Sequence, residues 1–325
     1  MRYIVLMLFA VALIAGCGPV SAPPPPKEPA PATKVIKVAF VTNNASDFWK
    51  IAEAGTKKAA AEFGTEVLFR IPSAGTAEQQ MQIMQDLVTL GVSGIAIRPK
   101  DPSNQTSMLN EAAAKANLIT QDSDAPRSNR LCYIGTNNYD AGRAAGKLLK
   151  EALPSGGKIM LFVGTLDAQN AQDRKKGIED EVAGSNIVID GVRTDETDRA
   201  KAVANVEDAL LSKPDVVCLV GLWSYNGPAI LNGVKSAGKL GQVKIVCFDE
   251  EDATLQGVKD GNIYGTVVQQ PFEFGYQSVK VLTELAKGNK SALPESKQIF
   301  IPTLSVKQDS ADAFWTNLKR MTGKS

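Results

Sequence analysis

The sequence contains no histidine among its 325 residues. Histidine is the usual base of Ser-His-Asp and Cys-His catalysis and the commonest protein ligand of zinc, so sites of these kinds are excluded. Positive charge is not in excess either, because 36 Lys and Arg residues accompany 35 Asp and Glu residues. A nucleic-acid partner is therefore not expected.

Phosphate-binding glycine motifs are also missing from the sequence. It has no G-x-x-x-x-G-K-[ST] motif, and Gly135 does not begin a G-x-G-x-x-G motif. Neither a nucleoside triphosphate site nor a dinucleotide site is expected, and no other cofactor is indicated. The paired acids Asp122 and Asp249 leave glycoside hydrolysis open as an alternative, but no other feature favours an enzyme.

Cysteine is scarce, with four in the chain. Cys132, Cys218 and Cys247 lie in short apolar runs that predict buried strands. Three cysteines without close spacing make a poor disulfide framework and a poor metal site. We therefore expect three free, buried thiols and no metal centre.

The fourth cysteine, Cys17, follows an apolar N-terminal stretch from Tyr3 to Ala15, which is too short for a membrane-spanning helix. The sequence Ile-Ala-Gly-Cys at its end resembles the bacterial lipobox, in which the peptide is cut before an acylated cysteine. The resemblance implies a lipoprotein signal peptide over residues 1–16 and an exported protein, lipid-anchored at the cell envelope through Cys17. The alternative is a secretory signal peptide cut elsewhere.

Residues 17–34 are predicted to form a tether between the anchor and the body of the protein. Seven of the residues from Pro19 to Pro31 are proline. Such a segment cannot build a packed core, and it favours the extended polyproline II conformation.

From Val35 onward, short apolar runs alternate with longer amphipathic stretches, which predicts an α/β protein with parallel sheets. Strands are predicted at Ile36–Thr42, Thr65–Ile71, Gly94–Arg98, Asn117–Gln121, Leu131–Gly135, Lys158–Val163, Ile187–Val192, Val216–Gly221, Val243–Phe248, Ile263–Val268 and Gln298–Ile301. Helices are predicted at Phe48–Phe63, Ala77–Leu90, Tyr139–Leu149, Ala200–Leu211 and Phe272–Leu285. The series runs through residues 35–121 and restarts over 138–268, so we expect two doubly wound lobes with a ligand site between them.

Polar and aromatic side chains follow several of these strands. They include Asn44, Ser46, Phe48 and Trp49 after the first strand, Asp122 and Asp124 after the fourth, Trp223 after the eighth, Asp249 after the ninth and Gln269 after the tenth. Aromatic rings cover the apolar faces of a sugar, while acids and amides bind its hydroxyl groups. The alternative for each acid is a helix cap or a solvated side chain, and for Phe48 and Trp49 it is a buried pair.

In the order and spacing of its motifs, the chain resembles the ribose-binding branch of the periplasmic sugar-binding proteins over roughly residues 35–308. The motifs that carry the resemblance are Phe48-Trp49, Ile119-Thr120-Gln121-Asp122, Tyr133-Ile134-Gly135-Thr136-Asn137-Asn138, Arg174-Lys175-Lys176-Gly177, Phe248-Asp249 and Val268-Gln269-Gln270-Pro271. The resemblance implies two Rossmann-like lobes joined by a three-strand hinge, the type I periplasmic binding protein fold. The first lobe would be residues 35–136 plus 271–301, and the second 137–270 plus 302–325.

Carried over position by position, the resemblance places ring-covering aromatics at Phe48 and Trp49, and hydroxyl-binding groups at Asp122, Asp249 and Gln269. The chain departs from the ribose pattern at Ser46, Ser123, Gln172, Thr197 and Trp223. Trp223 could replace a lost stacking ring, and Asn44, Asp124, Asn170 and Arg174 could restore polar contacts. The expected ligand is therefore a sugar or sugar-like polyol other than ribose.

The function implied by the resemblance is that of a monomeric receptor that delivers its ligand to an ABC-type permease. A repressor of the lactose type is disfavoured, since a signal and a proline-rich tether occupy the place of its DNA-binding helices. A sensory receptor, or a receptor for a non-sugar polar ligand, stays open as an alternative.

Overall fold

The computed structural model describes residues 35–322. The predicted signal peptide over residues 1–16, the lipidation site Cys17 and the tether over 17–34 lie outside the described residues, as do residues 323–325. No helix in the described part is both long enough and apolar enough to cross a bilayer.

The described chain contains twelve strands and ten α-helices. The strands are β1 (Lys37–Val41), β2 (Glu66–Arg70), β3 (Gly94–Ile97), β4 (Asn117–Gln121), β5 (Cys132–Gly135), β6 (Gly157–Val163), β7 (Ile187–Thr194), β8 (Val216–Gly221), β9 (Lys244–Phe248), β10 (Gly265–Val268), β11 (Gln298–Phe300) and β12 (Leu304–Lys307). The helices are α1 (Asp47–Phe63), α2 (Ala77–Thr89), α3 (Thr106–Ala113), α4 (Asn138–Ala152), α5 (Gln169–Val182), α6 (Arg199–Ser212), α7 (Asn226–Ser236), α8 (Asp252–Lys259), α9 (Pro271–Ala286) and α10 (Gln308–Thr322).

The strands form two six-stranded sheets. The first has the order β11-β5-β4-β3-β1-β2, and the second has the order β12-β10-β9-β8-β6-β7. We call each sheet with its packed helices a lobe. The chain passes between the sheets three times, over residues 136–137, 269–270 and 301–303. The predicted fold of two α/β lobes with a three-strand hinge is confirmed.

One edge strand departs from the prediction of parallel sheets. Strand β12 pairs with β10 in the antiparallel direction, with Thr266 opposite Val306. Its apolar pattern is weak, because two of its four side chains, those of Leu304 and Ser305, are exposed. An edge strand has one sheet neighbour and needs only a partial apolar face.

Local sequence signals explain where several helices begin and end. Thr76 and Asn137 accept backbone N–H groups of the first turns of α2 and α4, and Asp198 does so for α6. Helix α1 ends at Gly64, whose backbone is left-handed with φ of 64°. These caps fix the point at which each strand-end loop enters its helix.

All three cysteines of the described body are free and fully buried. Burial raises the pKa of the Cys132 thiol to about 11 and that of Cys218 to about 12, and it raises the pKa of Cys247 further. Thiols that stay protonated and inaccessible react slowly. The expectation of three free core cysteines in strands is confirmed.

Two glycines allow α1 and α9 to pack with their backbones in contact. A Cβ atom on Gly55 would overlap the carbonyl oxygen of Phe272, and one on Gly275 would overlap the carbonyl oxygen of Ala52. Both obstacles are main-chain atoms in helices, so neither can move without shifting a whole helix. These two positions therefore set the distance between the helices of the first lobe.

We expect Gly275→Ala to destabilise the protein by about 1–3 kcal/mol, because the added methyl forces α1 and α9 apart. Thermal unfolding measured by circular dichroism tests this, with Ala61→Ser on the exposed face of α1 as the control. A melting temperature unchanged from the unsubstituted protein would contradict the packing described.

Candidate functional site

A cleft with a volume of about 680 Å³ lies between the two lobes. It is lined by the loops that follow β1, β2, β3 and β4 in the first lobe and β6, β7, β8, β9 and β10 in the second. In a parallel sheet the carboxyl ends of the strands share one edge, so these loops converge. The cleft therefore collects side chains from segments far apart in the sequence.

Two aspartates occupy equivalent places in the two lobes. Asp122 follows β4 and Asp249 follows β9, and both are more than nine-tenths buried. Both have left-handed backbones, with φ of 60° and 69°. Asp adopts this conformation more readily than most residues, and the turn directs each carboxylate into the cleft instead of along the strand.

Asp122 is paired with an arginine from the neighbouring strand end. The Nε atom of Arg98 lies 3.0 Å from Oδ2 of Asp122, and both side chains are almost fully buried. A buried ion pair holds both groups in one geometry, since separating them would leave an uncompensated charge. One carboxylate oxygen and the outer guanidinium nitrogens are left to face the cleft.

Asp249 contacts one neutral side chain and one charged side chain. The Gln269 amide donates to its Oδ1 at 2.8 Å, and Nη1 of Arg174 lies 4.0 Å from its Oδ2. Burial raises the pKa of Asp249 to about 6, Arg174 and Gln269 oppose the rise, and the charge of Asp122 adds to it. Asp122 and Asp249 line the same cleft from opposite lobes, close enough for the charge of one to affect the other.

Arg174 is 1% exposed and is held from three sides. Its Nε donates to the Asn138 side chain at 2.9 Å, its Nη1 donates to the Leu222 carbonyl at 2.6 Å, and its guanidinium stacks on Phe248 at 4.4 Å. Its Nη2 has no hydrogen-bond partner in the described structure. The arginine is thus fixed in place with one donor unused.

Phe48 and Trp49 are buried more deeply than rings that only offer a stacking surface to a ligand. Phe48 and Trp49 touch edge to face with their centroids 4.8 Å apart, and both belong to the core of the first lobe. The Trp49 indole N–H donates to Asn43 at 3.0 Å and to Asn44 at 3.2 Å. Both rings border the cleft, but their burial at 6% and 2% exposure also matches the alternative of a buried pair.

Trp223 reaches into the cleft from the opposite lobe. Its ring packs edge to face with Tyr225 at 6.5 Å, and the Arg98 guanidinium of the first lobe lies 5.8 Å from its centroid. Its indole nitrogen is buried without a partner. The ring therefore links the two lobes and offers an unused donor.

Eleven of the thirteen predicted ligand-binding residues line the cleft. They are Asn44, Ser46, Phe48, Trp49, Asp122, Asn170, Arg174, Thr197, Trp223, Asp249 and Gln269. Ser46 stands at the start of α1 but its side chain makes no capping bond. Its hydroxyl is therefore not used by the helix.

The structure places the other two predicted residues elsewhere. Asp124 is bound by Arg130, Thr120 and the Ala125 amide, and it lines a different pocket behind the hinge. Gln172 is exposed and donates to the Leu166 carbonyl at 2.8 Å. The expectation that these two residues contribute to the cleft is wrong, because each satisfies its polar groups within its own lobe.

Sequence reasoning missed three positively charged residues of the cleft. Arg98 and Lys100 follow β3, and Arg199 begins α6. The position of Arg98 directly after an apolar strand was a usable signal, since the same rule identified Asp122 and Asp249. Lys100 and Arg199 lie in polar loops where nothing local distinguishes them.

Four buried polar atoms at the cleft have no partner within residues 35–322. They are Oδ1 of Asn170, Nη2 of Arg174, Nε1 of Trp223 and Oε1 of Gln269. Buried polar groups are normally hydrogen-bonded, and each unpartnered one costs about 1–3 kcal/mol. Two donors and two acceptors directed into one cleft indicate a polar ligand that satisfies them.

Residues 38–290 match the periplasmic binding protein domain. The chain belongs to the periplasmic binding protein family. This periplasmic binding protein is 26% identical over 246 residues to the ribose import binding protein RbsB of Salmonella typhimurium, covering 75% of this chain and 82% of that protein. It is 23% identical over 254 residues to the D-allose-binding periplasmic protein of Escherichia coli, covering 75% and 82% respectively.

Solved structures agree with this assignment. An ABC transporter solute-binding protein from Burkholderia graminis, in complex with D-arabinose, superposes with a TM-score of 0.80 at 30% identity, covering 85% of this chain and 96% of that one. All three are named as binding proteins, the ribose protein for import and the Burkholderia protein for an ABC transporter. This periplasmic binding protein is accordingly a solute-binding component and not an enzyme.

Proposed function

We propose that this protein captures a sugar or sugar-like polyol in the cleft between its lobes. The supporting observation is the set of buried polar groups there: Asp122 and Asp249 both line the cleft, and four further polar atoms have no partner within residues 35–322. A polyol presents adjacent hydroxyl groups that both donate and accept, so it can satisfy acids, amides and N–H donors together. Sugars are also what the similar proteins are named for binding.

The aromatic rings support a carbohydrate over other polar ligands. Trp223 borders the cleft in the second lobe, while Phe48 and Trp49 border it in the first. The carbon–hydrogen faces of a pyranose pack well against such rings, whereas a simple amino acid has no comparable flat face. We place the ligand between Trp223 and the acids.

The test is a thermal-shift screen of pentoses, hexoses, sugar acids and polyols. A ligand that binds only the folded protein raises the melting temperature by mass action, by an amount that grows with its concentration. Dose-dependent stabilisation by at least one sugar would support the proposal, and calorimetry would then give its affinity. A parallel screen of amino acids and short peptides is the comparison, and stabilisation by these alone would refute the proposal.

We further propose that the protein is exported, lipidated at Cys17, and delivers its ligand to an ABC-type permease. The lipobox-like sequence supports the anchor, and the transport systems of the relatives support the permease. Closure of two lobes about a three-strand hinge buries the ligand and creates a surface that a permease can distinguish from the open form. A sensory partner that reads the same closure is the alternative, and loss of sugar uptake on deletion of the gene would favour transport.

We expect Cys17→Ser to release the protein from the membrane fraction. Without a thiol at this position no acyl chain can be attached, and the remaining chain has no anchoring lipid. Fractionation of cells followed by immunoblotting measures this, with Cys132→Ser as the matched control because that cysteine is buried in the body. Equal membrane association of both variants would contradict lipidation at Cys17.

A further inference from the structure

The charged groups of the cleft differ in how many of their polar atoms already have a hydrogen-bond or ion-pair partner within the protein. The two deep acids are engaged: Oδ2 of Asp122 accepts from Arg98, and Oδ1 of Asp249 accepts from Gln269. The environment of Asp249 also disfavours its charge, since burial raises its pKa to about 6. Little negative charge is therefore free to balance a cation or to meet a positively charged ligand.

The positively charged side chains of the cleft have fewer of their nitrogen atoms in hydrogen bonds or ion pairs. Within residues 35–322, Lys100 has no carboxylate within ion-pair distance, and Arg98 uses only its Nε in a hydrogen bond. Arg174 keeps Nη2 unpartnered although it is 1% exposed. Burial lowers the pKa of Lys100, and the neighbouring charge of Arg98 lowers it further. Positive charge is thus crowded on this side of the cleft.

Two of these cations, Arg98 and Arg174, lie close to Trp223. The Arg98 guanidinium lies 5.8 Å from the centre of the Trp223 ring, and Arg174 donates to the carbonyl of the preceding residue, Leu222. The indole N–H of Trp223 is itself an unused donor. A cluster of fixed donors with surplus positive charge favours an anionic oxygen over a hydroxyl group.

The remaining charged groups of the cleft do not cancel this surplus. Glu78 and Glu196 are exposed at its rim, where water screens them, and Arg199 lies beside them in an ion pair with Glu251. The cleft therefore contains two buried cations, Arg98 and Arg174, and the half-buried Lys100, whose nearest acid is the exposed Glu78, against two buried acids that already accept hydrogen bonds.

We infer that the ligand is a polyol carrying one anionic group, and that Arg98, Lys100, Arg174 and the Trp223 indole bind that group. This inference rests on the proposed capture of a sugar in the cleft, and it narrows the ligand to a sugar acid or a sugar phosphate. The hydroxyl groups of the ligand then meet Asp122, Asp249, Asn170 and Gln269, which line the same cleft.

The experiment compares ligands that differ only in charge. Isothermal titration calorimetry at low salt measures D-galactose, D-galacturonate and the methyl ester of D-galacturonate, with the corresponding D-glucose series alongside. D-glucose 6-phosphate forms a separate arm. We expect at least one anionic ligand to bind about tenfold or more tighter than its neutral counterparts, with an affinity that falls as salt is added. Tighter binding of the phosphate than of the uronates identifies a phosphate as the anionic group.

Variants assign the preference to the cleft. Lys100→Gln and Arg98→Gln should each reduce the preference for the anionic ligand about tenfold, and Arg98→Lys should restore part of it. Because the Lys100 ammonium forms no ion pair within residues 35–322, its substitution tests the inference even if Arg98→Gln disturbs Asp122. Arg127→Gln, an exposed residue of the same lobe outside the cleft, should leave the preference unchanged.

The outcomes separate this inference from the proposed function. If the neutral sugars bind as tightly as the acids, or the ester binds as tightly as the uronate, the anionic ligand is refuted while sugar capture stands. If none of the neutral or anionic sugars of the full screen binds, both proposals fail.

Discussion

Replacing Asp249 with alanine is expected to reduce ligand affinity at least about 100-fold. The carboxylate is 3% exposed, so a hydroxyl group bound to it gains a charge-assisted hydrogen bond in a site largely free of water. The substitution also leaves the buried Arg174 without its nearest acid, which lies 4.0 Å away. Breaking a buried pair by removing one partner costs about 3–5 kcal/mol. Calorimetry with the ligand found in the thermal-shift screen measures the effect.

Asp249→Asn separates the loss of charge from the loss of shape. Asparagine tolerates the left-handed backbone at φ of 69°, whereas alanine is strained there. We expect the asparagine variant to fold like the unsubstituted protein and still to bind at least about tenfold more weakly. Asp260→Asn, on the exposed surface of the same lobe, is the control and should change nothing. Unaltered affinity of Asp249→Asn would show that the charge of this residue takes no part in binding.

Replacing Glu250 with glutamine is expected to change the pH dependence of stability. Glu250 is 4% exposed, and neither of its carboxylate oxygens has a hydrogen-bond partner in the described residues. It borders small cavities between the lobes, facing Phe48 and Ile51 of α1 and Leu318 of α10. A carboxylate in such a place costs more than a neutral group of the same shape.

The direction in which stability changes with pH follows from the pKa of Glu250. Burial raises the pKa of Glu250 well above its ordinary value, and the charges of Asp249 and Glu251 raise it further. A raised pKa stabilises the folded protein below the unfolded value of about 4.5, and this stabilisation is lost as the pH rises through the folded pKa. The other charged groups around the carboxyl are Asp47 on α1, Asp252 on α8 and Lys319 on α10.

Glutamine cannot ionise, so Glu250→Gln should remove the loss of stability that occurs as the pH rises. The quantity to compare is the melting temperature of the variant minus that of the unsubstituted protein at the same pH. We expect this difference to be larger at pH 8 than at pH 4.5 by on the order of 5 °C. Scanning calorimetry at both pH values without ligand measures it. Glu295→Gln, an exposed residue, should follow the unsubstituted protein at both pH values. Parallel pH profiles for Glu250→Gln and the unsubstituted protein would show that the carboxyl is not buried in solution.

The same carboxyl connects pH with lobe closure. Glu250 belongs to the second lobe, and the cavities that it borders are completed by α1 of the first, so we expect separation of the lobes to expose it. Opening exposes it to water, where its ordinary pKa returns. Closure should therefore take up a proton at pH values between the ordinary pKa of the exposed carboxyl and its raised pKa when buried, and calorimetry of ligand binding in buffers of different ionisation enthalpy would detect that proton.

Much of the fold could be predicted because it depends on local patterns. Strands buried on both faces, such as Val216–Gly221, are apolar throughout, and their alternation with amphipathic helices indicates parallel sheets. Strand β12 escaped prediction since half of its side chains are exposed at an edge. Helix α5 was also not predicted, because its exposed face is rich in charge and its apolar residues are few.

The cleft was predictable only in part, for a related reason. Asp122 and Asp249 could be found because a polar residue directly after a buried parallel strand must lie at the carboxyl edge of the sheet, where the loops converge. Asp124 obeys a similar rule, yet it is neutralised by Arg130, six residues further along the chain. Gln172 lies on the exposed face of its helix, and its rotation about the helix axis could not be read from the motif alone.

The sequence by itself determined the architecture and the identity of the loops that meet, because strand burial and helix periodicity are local properties of the chain. Only the tertiary structure decided which polar atoms are used up within the protein and which are left for a ligand. The pairing of Arg98 with Asp122, the unused donors of Arg174 and Trp223, and the burial of Glu250 between the lobes all depend on distances between residues far apart in sequence. Hydrogen bonds and ion pairs act over only a few ångströms, so the chemistry of the cleft exists only once the two lobes have folded and come together.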